Sequence, residues 1–84
     1  MADTTVYTLP DCQPCKATKR LFEKLGVPYL EVSLLDAPAD AQRLRDEGHA
    51  TAPIVETPDR RWSGFRINEI REHAAELVRT GAIE

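Results

Sequence analysis

The sequence predicts an α/β domain with the element order βαβαββα, in which a four-stranded mixed sheet is flanked by three helices. Two observations support this fold class: short runs of β-branched and aromatic residues alternate with stretches of helical period, and turn residues separate these runs. The length of 84 residues suits one small domain, so residues 1–84 are treated as a single unit.

The first half of the chain predicts a strand, a helix and a second strand. Residues 4–9 are rich in Thr, Val and Tyr and stop at Pro10, which is typical of a strand. Alternating polar and apolar residues predict another strand at 29–34. Between them an amphipathic helix ends at Gly26, and its apolar stripe is formed by Ala17, Leu21, Phe22 and Leu25. This strand–helix–strand unit implies two parallel strands joined by a right-handed crossover.

The second half predicts a helix, a β-hairpin and a last helix. The helix begins near Pro38 and is the weaker of the three patterns. Strands at residues 54–57 and about 60–63 follow, joined by a tight turn at Pro58-Asp59. A hairpin is antiparallel, so the complete sheet is mixed. The last helix has one apolar face, formed by Ile67, Ile70, Ala74, Leu77 and Val78.

Composition and charge argue against several classes of function. A net charge of −3 disfavours nucleic-acid binding, which requires a basic face. No apolar run approaches the roughly 18 residues of a membrane span. The first five residues lack the basic and apolar regions of a signal peptide. We therefore expect a cytoplasmic protein that binds neither nucleic acid nor membrane, and we expect it to be a monomer.

The two cysteines, Cys12 and Cys15, lie beside the predicted junction of the first strand and helix. A bond between them closes a loop too short to stabilise the fold substantially. In a cytosolic protein such a close pair is more typical of a redox or metal site. Combined with the βαβαββα order, Cys-x-x-Cys at this junction is the redox signature of the thioredoxin fold. The pair is therefore predicted to be the catalytic centre of a dithiol–disulfide oxidoreductase, an electron carrier.

The position of this pair at a helix start gives the two thiols different roles. Cys12 lies where unpaired N–H groups and the helix macrodipole favour a thiolate, so it is the predicted nucleophile. Cys15 follows one turn later on the same face and is the predicted resolving thiol. The pKa of Cys12 is expected to be lowered by Lys16 and Lys19, whereas Asp11 opposes them.

Two neighbouring segments are candidate contacts for a substrate or partner. Gln13 and Pro14 separate the cysteines, and Pro14 suits the first turn of a helix. In Thr51-Ala52-Pro53, the base rate favours a trans bond, since only about 5–6% of X-Pro bonds are cis, and proline commonly starts a strand. Its position after the second helix favours a cis Pro53 beside the cysteines, which leaves the Ala52 backbone free to pair with an extended substrate.

A metal site is the alternative from a different functional class. Cys-x-x-Cys also occurs in zinc sites, which need two further ligands. The histidines, His49 and His73, are too far apart for zinc-finger spacing and are predicted to lie at the surface. We therefore assign no metal ligand, and a metal- or Fe–S-binding module is the less favoured alternative.

Several motifs occur in the order found in a known family. They are Tyr7-Thr8, Asp11-Cys12-x-x-Cys15, Ala17-Thr18-Lys19-Arg20, Ala52-Pro53 and Trp62-Ser63-Gly64-Phe65-Arg66. With these motifs the chain resembles the NrdH-redoxins, which are glutaredoxin-like in sequence and thioredoxin-like in behaviour; residues 62–66 are the most specific part. The resemblance implies that electrons come from NADPH through the flavoprotein thioredoxin reductase, with no cofactor bound by the chain itself. It also implies that they pass to ribonucleotide reductase, chiefly the large subunit of the class Ib enzyme.

The chain departs from that family at two places and from thioredoxins at one. The family usually has a bulky residue and then Gln between the cysteines, whereas Gln13-Pro14 has the thioredoxin order. It usually has proline where this chain has Ile67, and Asn68 is then expected to start the last helix. Thioredoxins carry a buried carboxylate where this chain has Val6, so deprotonation of the resolving thiol must rely on water, a neighbouring group or the leaving thiolate.

A glutathione-dependent glutaredoxin is the main rival function. Glutaredoxins bind glutathione partly through a Gly-Gly-x-Asp-type turn after the fourth strand, where this chain has Arg66 and Ile67 instead of acids. A like charge and an apolar side chain would face the ammonium of the ligand, which predicts poor binding. Trp62 and Phe65 are candidate core residues around a short strand or a candidate apolar docking surface for the reductase, and the two roles can coexist. The candidate partner contacts of this segment are Trp62, Ser63, Gly64, Phe65 and Arg66.

Overall fold

The computed structural model describes residues 3–83. Three terminal residues, Met1, Ala2 and Glu84, lie outside it. The prediction that the first five residues are not a signal peptide therefore falls partly outside the described residues. The predicted element order is confirmed, with β1 (Thr5–Thr8), α1 (Gln13–Leu25), β2 (Leu30–Ser33), α2 (Pro38–Asp46), β3 (Ile54–Glu56), β4 (Arg61–Ser63) and α3 (Ile67–Arg79). Within residues 3–83, no helix is both long and apolar enough to cross a bilayer.

The four strands form one mixed sheet in the order β2-β1-β3-β4. β1 and β2 are parallel, with Val6 opposite Glu31, as the strand–helix–strand crossover requires. β3 is antiparallel to both β1 and β4. The central strands are therefore β1 and β3, and the loop that follows β1 lies beside the loop that precedes β3.

Two hydrophobic clusters hold helices against opposite faces of the sheet. Successive strand residues point to opposite faces, so Val6 packs with Phe22 of α1 and Ile70 of α3, while Tyr7 packs with Leu44 of α2. Phe22 is fully buried, and burial of such a side chain contributes about 1.5–3 kcal/mol. The packing of Phe22 thus holds α1, the helix at whose start the cysteines lie, against the sheet.

The ends of α1 explain where this helix starts and stops. Cys12 is the N-cap residue, and its Sγ accepts a hydrogen bond from the Cys15 backbone N–H at 3.1 Å. Pro14 lies in the first turn, where a backbone N–H has no intrahelical acceptor. Gly26 ends the helix in the left-handed conformation, with φ of 75°. The predicted helix end is therefore confirmed.

The start and the apolar face of α3 differ from the sequence-based expectation. Asn68 does not start the helix, because the Ile70 N–H already donates to the Arg66 carbonyl at 3.0 Å and α3 begins at Ile67. The buried face is also narrower than the pattern indicates. Ile67 and Val78 are 43% and 51% exposed, since both lie in the terminal turns of the helix.

His73 is buried, so the prediction of a surface position is wrong. Its ring lies in the core, where Nε2 is 2.7 Å from Oγ1 of Thr4 and the ring edge packs against Phe22 and Trp62. Burial lowers the pKa of His73 below its ordinary value of 6.5, and the Arg60 guanidinium lowers it further. The fold therefore favours the neutral imidazole.

Mild acid is expected to destabilise the protein through His73. As the pH falls through about 6.5, the unfolded chain binds a proton that the buried ring resists. The free energy of unfolding is then intact above this pH and decreases below it, by at most about 1.36 kcal/mol per pH unit. Urea unfolding between neutral pH and the onset of carboxylate titration measures the slope. His73→Gln should abolish it and His49→Gln should keep it; a slope that survives in His73→Gln contradicts the assignment.

Candidate active site

Three segments meet at one end of the sheet. They are the cysteine segment (residues 10–15) after β1, the proline segment (residues 49–53) before β3, and the 62–66 segment, which runs from β4 towards α3. Because β3 is antiparallel to β1 and β4, its start lies beside their ends. The Gly64 N–H donates to the Pro53 carbonyl at 2.8 Å, which fixes two of these segments together. The structure thus brings together the candidate residues that the sequence placed on separate loops.

Cys12 and Cys15 are joined by a disulfide, with their Cα atoms 5.2 Å apart. Cys12 is half-buried, whereas Cys15 is only 2% exposed. An incoming disulfide can reach Cys12 but not Cys15, which favours Cys12 as nucleophile and Cys15 as resolving thiol. The Cys15 N–H that lies 3.1 Å from Cys12 Sγ can also donate to a Cys12 thiolate after reduction.

Asp11 turns the chain between the end of β1 and the start of α1. Its φ of 55° lies in the left-handed region, which Asp tolerates better than most residues other than glycine. This reversal places Cys12 at the N-terminal end of the helix. Gln13 and Pro14 are both exposed beside it, where an approaching partner can contact them.

The two lysines expected to tune Cys12 have different surroundings. Lys19 Nζ is 3.0 Å from Oε2 of Glu31, and the same oxygen accepts a hydrogen bond from Thr8 Oγ1 at 3.2 Å. The carboxylate therefore offsets most of the field of Lys19 at the cysteines. Lys16 is exposed and forms no ion pair within residues 3–83. Lys16 is thus the one of the two lysines whose charge has no ion-pair partner there, and its effect on the pKa of Cys12 stays a prediction.

The Ala52–Pro53 peptide bond is cis, so of the two alternatives for this bond the cis form is correct. Pro53 is fully buried, while Ala52 is half-buried and Thr51 is exposed. Among residues 3–83, no backbone hydrogen bond involves Ala52. Its N–H and carbonyl groups therefore remain available to an extended substrate segment.

The 62–66 segment divides between the core and the surface. Trp62 is 4% exposed and belongs to the core cluster with Phe22, so the core interpretation holds for its side chain. Phe65 is 39% exposed, and Arg66 is exposed with its Nε donating to the Ser63 carbonyl at 3.1 Å. Phe65 and Arg66, rather than Trp62, are the side chains that a partner can contact.

A hydrogen bond between His49 and Ser63 was not expected from the sequence. Nδ1 of His49 lies 2.7 Å from Oγ of Ser63, which ties the proline segment to the 62–66 segment. The only sequence signal is that both residues lie near the paired ends of β3 and β4. Both histidines therefore have protein hydrogen-bond partners, and within residues 3–83 no cluster of three or more His, Cys, Asp or Glu side chains is arranged to hold a metal ion.

Comparison with known proteins agrees with this geometry. The glutaredoxin family profile matches residues 4–62. The glutaredoxin-like protein NrdH of Escherichia coli K12 is 40% identical over 72 residues, which cover 84% of this chain and 89% of that protein. The chain belongs to the NrdH group of glutaredoxin-like proteins. Its redox-active pair is Cys12–Cys15, and it is a thiol–disulfide oxidoreductase.

Solved structures show that the NrdH group and the glutaredoxins share this thioredoxin-like fold. The NrdH-redoxin of Escherichia coli, described as having a thioredoxin-like activity profile, matches with a TM-score of 0.79 and 38% identity, over 82% of this chain and 91% of that chain. A buckwheat glutaredoxin in complex with glutathione matches with a TM-score of 0.74 and 27% identity, over 98% of this chain and 82% of that chain. Because both groups share this fold, the fold alone does not determine the reductant, and local residues must be compared.

The geometry supports a two-step exchange for this chain. The Cys12 thiolate attacks one sulfur of a target disulfide, whose other sulfur leaves as a thiolate and takes up a proton. Cys15 then loses its proton and attacks Cys12 Sγ, which releases the second target thiol and forms the Cys12–Cys15 disulfide. Two electrons pass to the target. Because the thioredoxin carboxylate position is the buried Val6, the base for Cys15 is water, a neighbouring group or the leaving thiolate.

The different surroundings of the two lysines predict different effects on the Cys12 pKa. In a Cys15→Ser background, where one thiol titrates, Lys16→Gln should raise this pKa slightly, because an exposed charge pair contributes only about 0.2–1 kcal/mol. The matched double variant Lys19→Gln/Glu31→Gln removes a compensated pair and should leave it nearly unchanged. Thiolate absorbance in the ultraviolet measures both. Equal shifts in the two variants would show that Glu31 does not compensate Lys19.

The difference in exposure of the thiols predicts which variant traps a target. Cys15→Ser should accumulate a mixed disulfide between Cys12 and a disulfide-containing protein, because no resolving thiol remains. Cys12→Ser should trap none, since Cys15 is buried. Non-reducing electrophoresis with mass spectrometry detects the adducts. Adducts through Cys15 in the Cys12→Ser variant would reverse the assigned roles.

Proposed function

We propose that this protein reduces disulfides of other proteins with electrons from NADPH, which reach it through the flavoprotein thioredoxin reductase. Its principal acceptor in this proposal is ribonucleotide reductase, specifically the large subunit of a class Ib enzyme. The protein acts as a cytoplasmic monomer and carries electrons on its thiols without a bound cofactor. The observation that carries the proposal is the cationic and apolar surface after β4, next to the redox pair.

That surface is unsuited to the γ-glutamyl end of glutathione, which carries an ammonium group. Arg66 is exposed there, and within residues 3–83 its guanidinium Nε donates only to the neutral Ser63 carbonyl. Ile67 follows and is 43% exposed. A ligand ammonium brought to this turn would meet a like charge and an apolar side chain instead of carboxylates. Glutathione is therefore disfavoured as the reductant.

The same surface suits a protein partner. Phe65 and Ile67 together expose an apolar patch beside the Arg66 guanidinium, a combination that is common at protein interfaces. Pro14 is exposed and directly precedes the second cysteine, as proline does in thioredoxins. It lies at the same end of the sheet as this surface. The NrdH name of the relatives implies a link to ribonucleotide reductase, and the thioredoxin-like activity profile of the Escherichia coli protein supports a thioredoxin-type reductant.

The experiment that tests the proposal compares two reducing systems on the same oxidised protein. NADPH with thioredoxin reductase should drive rapid turnover of insulin disulfides, followed as NADPH oxidation. Glutathione with glutathione reductase should drive it slowly. Efficient turnover with glutathione alone would make the protein a glutathione-dependent glutaredoxin. A second arm supplies the reduced protein to a class Ib ribonucleotide reductase, and absence of deoxyribonucleotide formation would contradict the proposed acceptor.

Acidic substitutions after β4 are expected to shift the reductant preference. Arg66→Asp/Ile67→Asp restores negative charge where glutaredoxins have it, and both residues are at the start of α3, where carboxylates suit the helix dipole. The ratio of glutathione-dependent to reductase-dependent rate should rise on the order of tenfold, equivalent to about 1.4 kcal/mol. Arg71→Glu/Ala75→Glu makes the same charge change at exposed positions further along α3 and should leave the ratio unchanged. An equal rise in this control would attribute the effect to net charge.

A further inference from the structure

An apolar groove lies on the α2 side of the redox pair. Its volume is about 160 Å³, and the residues that line it include Leu9, Leu34, Leu35, Arg45, Ala50 and Ile54. Pockets for small molecules typically measure about 300–1,000 Å³. The groove is therefore the size of one large side chain rather than of a cofactor or metabolite.

The groove is continuous with the active site through both of its walls. Leu9 directly precedes the cysteine segment, and Ala50 belongs to the proline segment. The Leu34 N–H donates to the Thr8 carbonyl at 2.9 Å, so the end of β2 and the following Leu35 lie beside Leu9. Ala52 lies in the chain between Ala50 and Ile54, which both line the groove, so the groove adjoins the backbone groups that are free to pair with an extended substrate.

The groove exposes apolar surface that the fold itself does not cover. Leu9 is 39% exposed and Leu35 is 68% exposed, while the floor at Ile54 is fully buried. Covering these leucines with an apolar side chain of a partner removes both surfaces from water, which is favourable. The walls thus select an apolar residue.

The rim of the groove carries an uncompensated positive charge. The Arg45 guanidinium donates to Gln42 Oε1 at 3.2 Å, and within residues 3–83 it forms no ion pair. Its neighbour Arg43 is different, because that guanidinium is held by Glu56 at 2.9 Å. Arg45 is also exposed, so a carboxylate of a partner can reach it and form a charge-assisted hydrogen bond.

We propose that this groove selects the target protein by binding an extended segment beside its reactive cysteine. The segment places one leucine-sized side chain in the groove and an aspartate or glutamate side chain against Arg45. Main-chain pairing at Ala52 supplies affinity and the groove supplies sequence preference, as in other cases of extended-peptide recognition. This inference rests on the proposed function, in which the substrate is a protein disulfide. It specifies two side chains, one apolar and one acidic, that such a substrate carries near its reactive cysteine.

The test uses the pre-reduced protein in single turnover, without a reductase. The probes are synthetic peptides with one internal disulfide, in which Leu occupies in turn each of three positions on either side of the reactive cysteine, with Asp adjacent. Matched peptides replace Leu by Ala or Asp by Lys. The rate constant for the best Leu/Asp peptide should exceed that for its Ala/Lys counterpart by about tenfold or more. Equal rate constants across the set would overturn the inference.

Variants connect this preference to the groove. Leu35→Ser should remove the preference for Leu over Ala, and Arg45→Glu should reverse the preference for Asp over Lys. The matched controls Leu30→Ser and Arg79→Glu change exposed residues at the opposite end of β2 and at the end of α3, and should keep both preferences. Each variant is judged by the ratio between two peptides, so an overall change in rate does not affect the result. Loss of preference in a control would overturn the inference.

The outcome also separates this inference from the proposed function. If thioredoxin reductase fails to reduce the protein but the peptides are still discriminated, the proposed electron source is wrong and the groove assignment stands. If the reductase works and peptides react without discrimination, the groove assignment is wrong. If Leu35→Ser slows reduction by the reductase and keeps the peptide preference, the groove belongs to the reductase, which also overturns the inference.

Discussion

The antiparallel pairing of β3 with β1 and β4 is the constraint on which the active site depends. Ile54 and Val55 point to opposite faces of the sheet, and both are buried, one in each hydrophobic cluster. A slip of one residue would exchange the two side chains between the faces, so the hydrophobic core opposes any change of register. Since Pro53 directly precedes β3, its position beside the cysteine segment is set by the core of the protein rather than by loop contacts.

The sheet sets the positions of the active-site segments, and in the proposed function local charges determine which partners bind there. Charges near the redox pair fall into two sets. Lys19 is compensated by Glu31, and Arg43 by Glu56, so these pairs act on the fold more than on a ligand. Lys16, Arg45 and Arg66 are exposed without an ion pair within residues 3–83. Asp11, next to Cys12, is the exposed carboxylate that opposes them, and it also has no ion pair within residues 3–83. A chain with net charge −3 therefore has more uncompensated cations than anions among these side chains around the redox pair.

Much of this architecture could be predicted from the sequence, because the signals are local. Alternation, helical spacing and turn residues predicted the element order, and the spacing of the cysteines relative to the first helix predicted that Cys12 lies at its start. The start of α3 at Ile67 rather than Asn68 is a local failure, and the others depend on contacts between distant residues. His73 bonds to Thr4 at the other end of the chain, which no short pattern records. Trp62 lies in a strand of three residues, too short for alternation to distinguish a core side chain from a surface one.

The burial of Cys15 one turn behind Cys12 has a consequence for oxidative damage. Peroxide can reach the half-buried Cys12 and convert its thiolate to a sulfenic acid, whereas Cys15 is shielded. The waiting Cys15 thiol condenses with that sulfenic acid, releases water and forms the same Cys12–Cys15 disulfide that a turnover leaves. This condensation competes with irreversible oxidation to the sulfinic acid. The arrangement that orders the two steps of exchange therefore also protects the nucleophile.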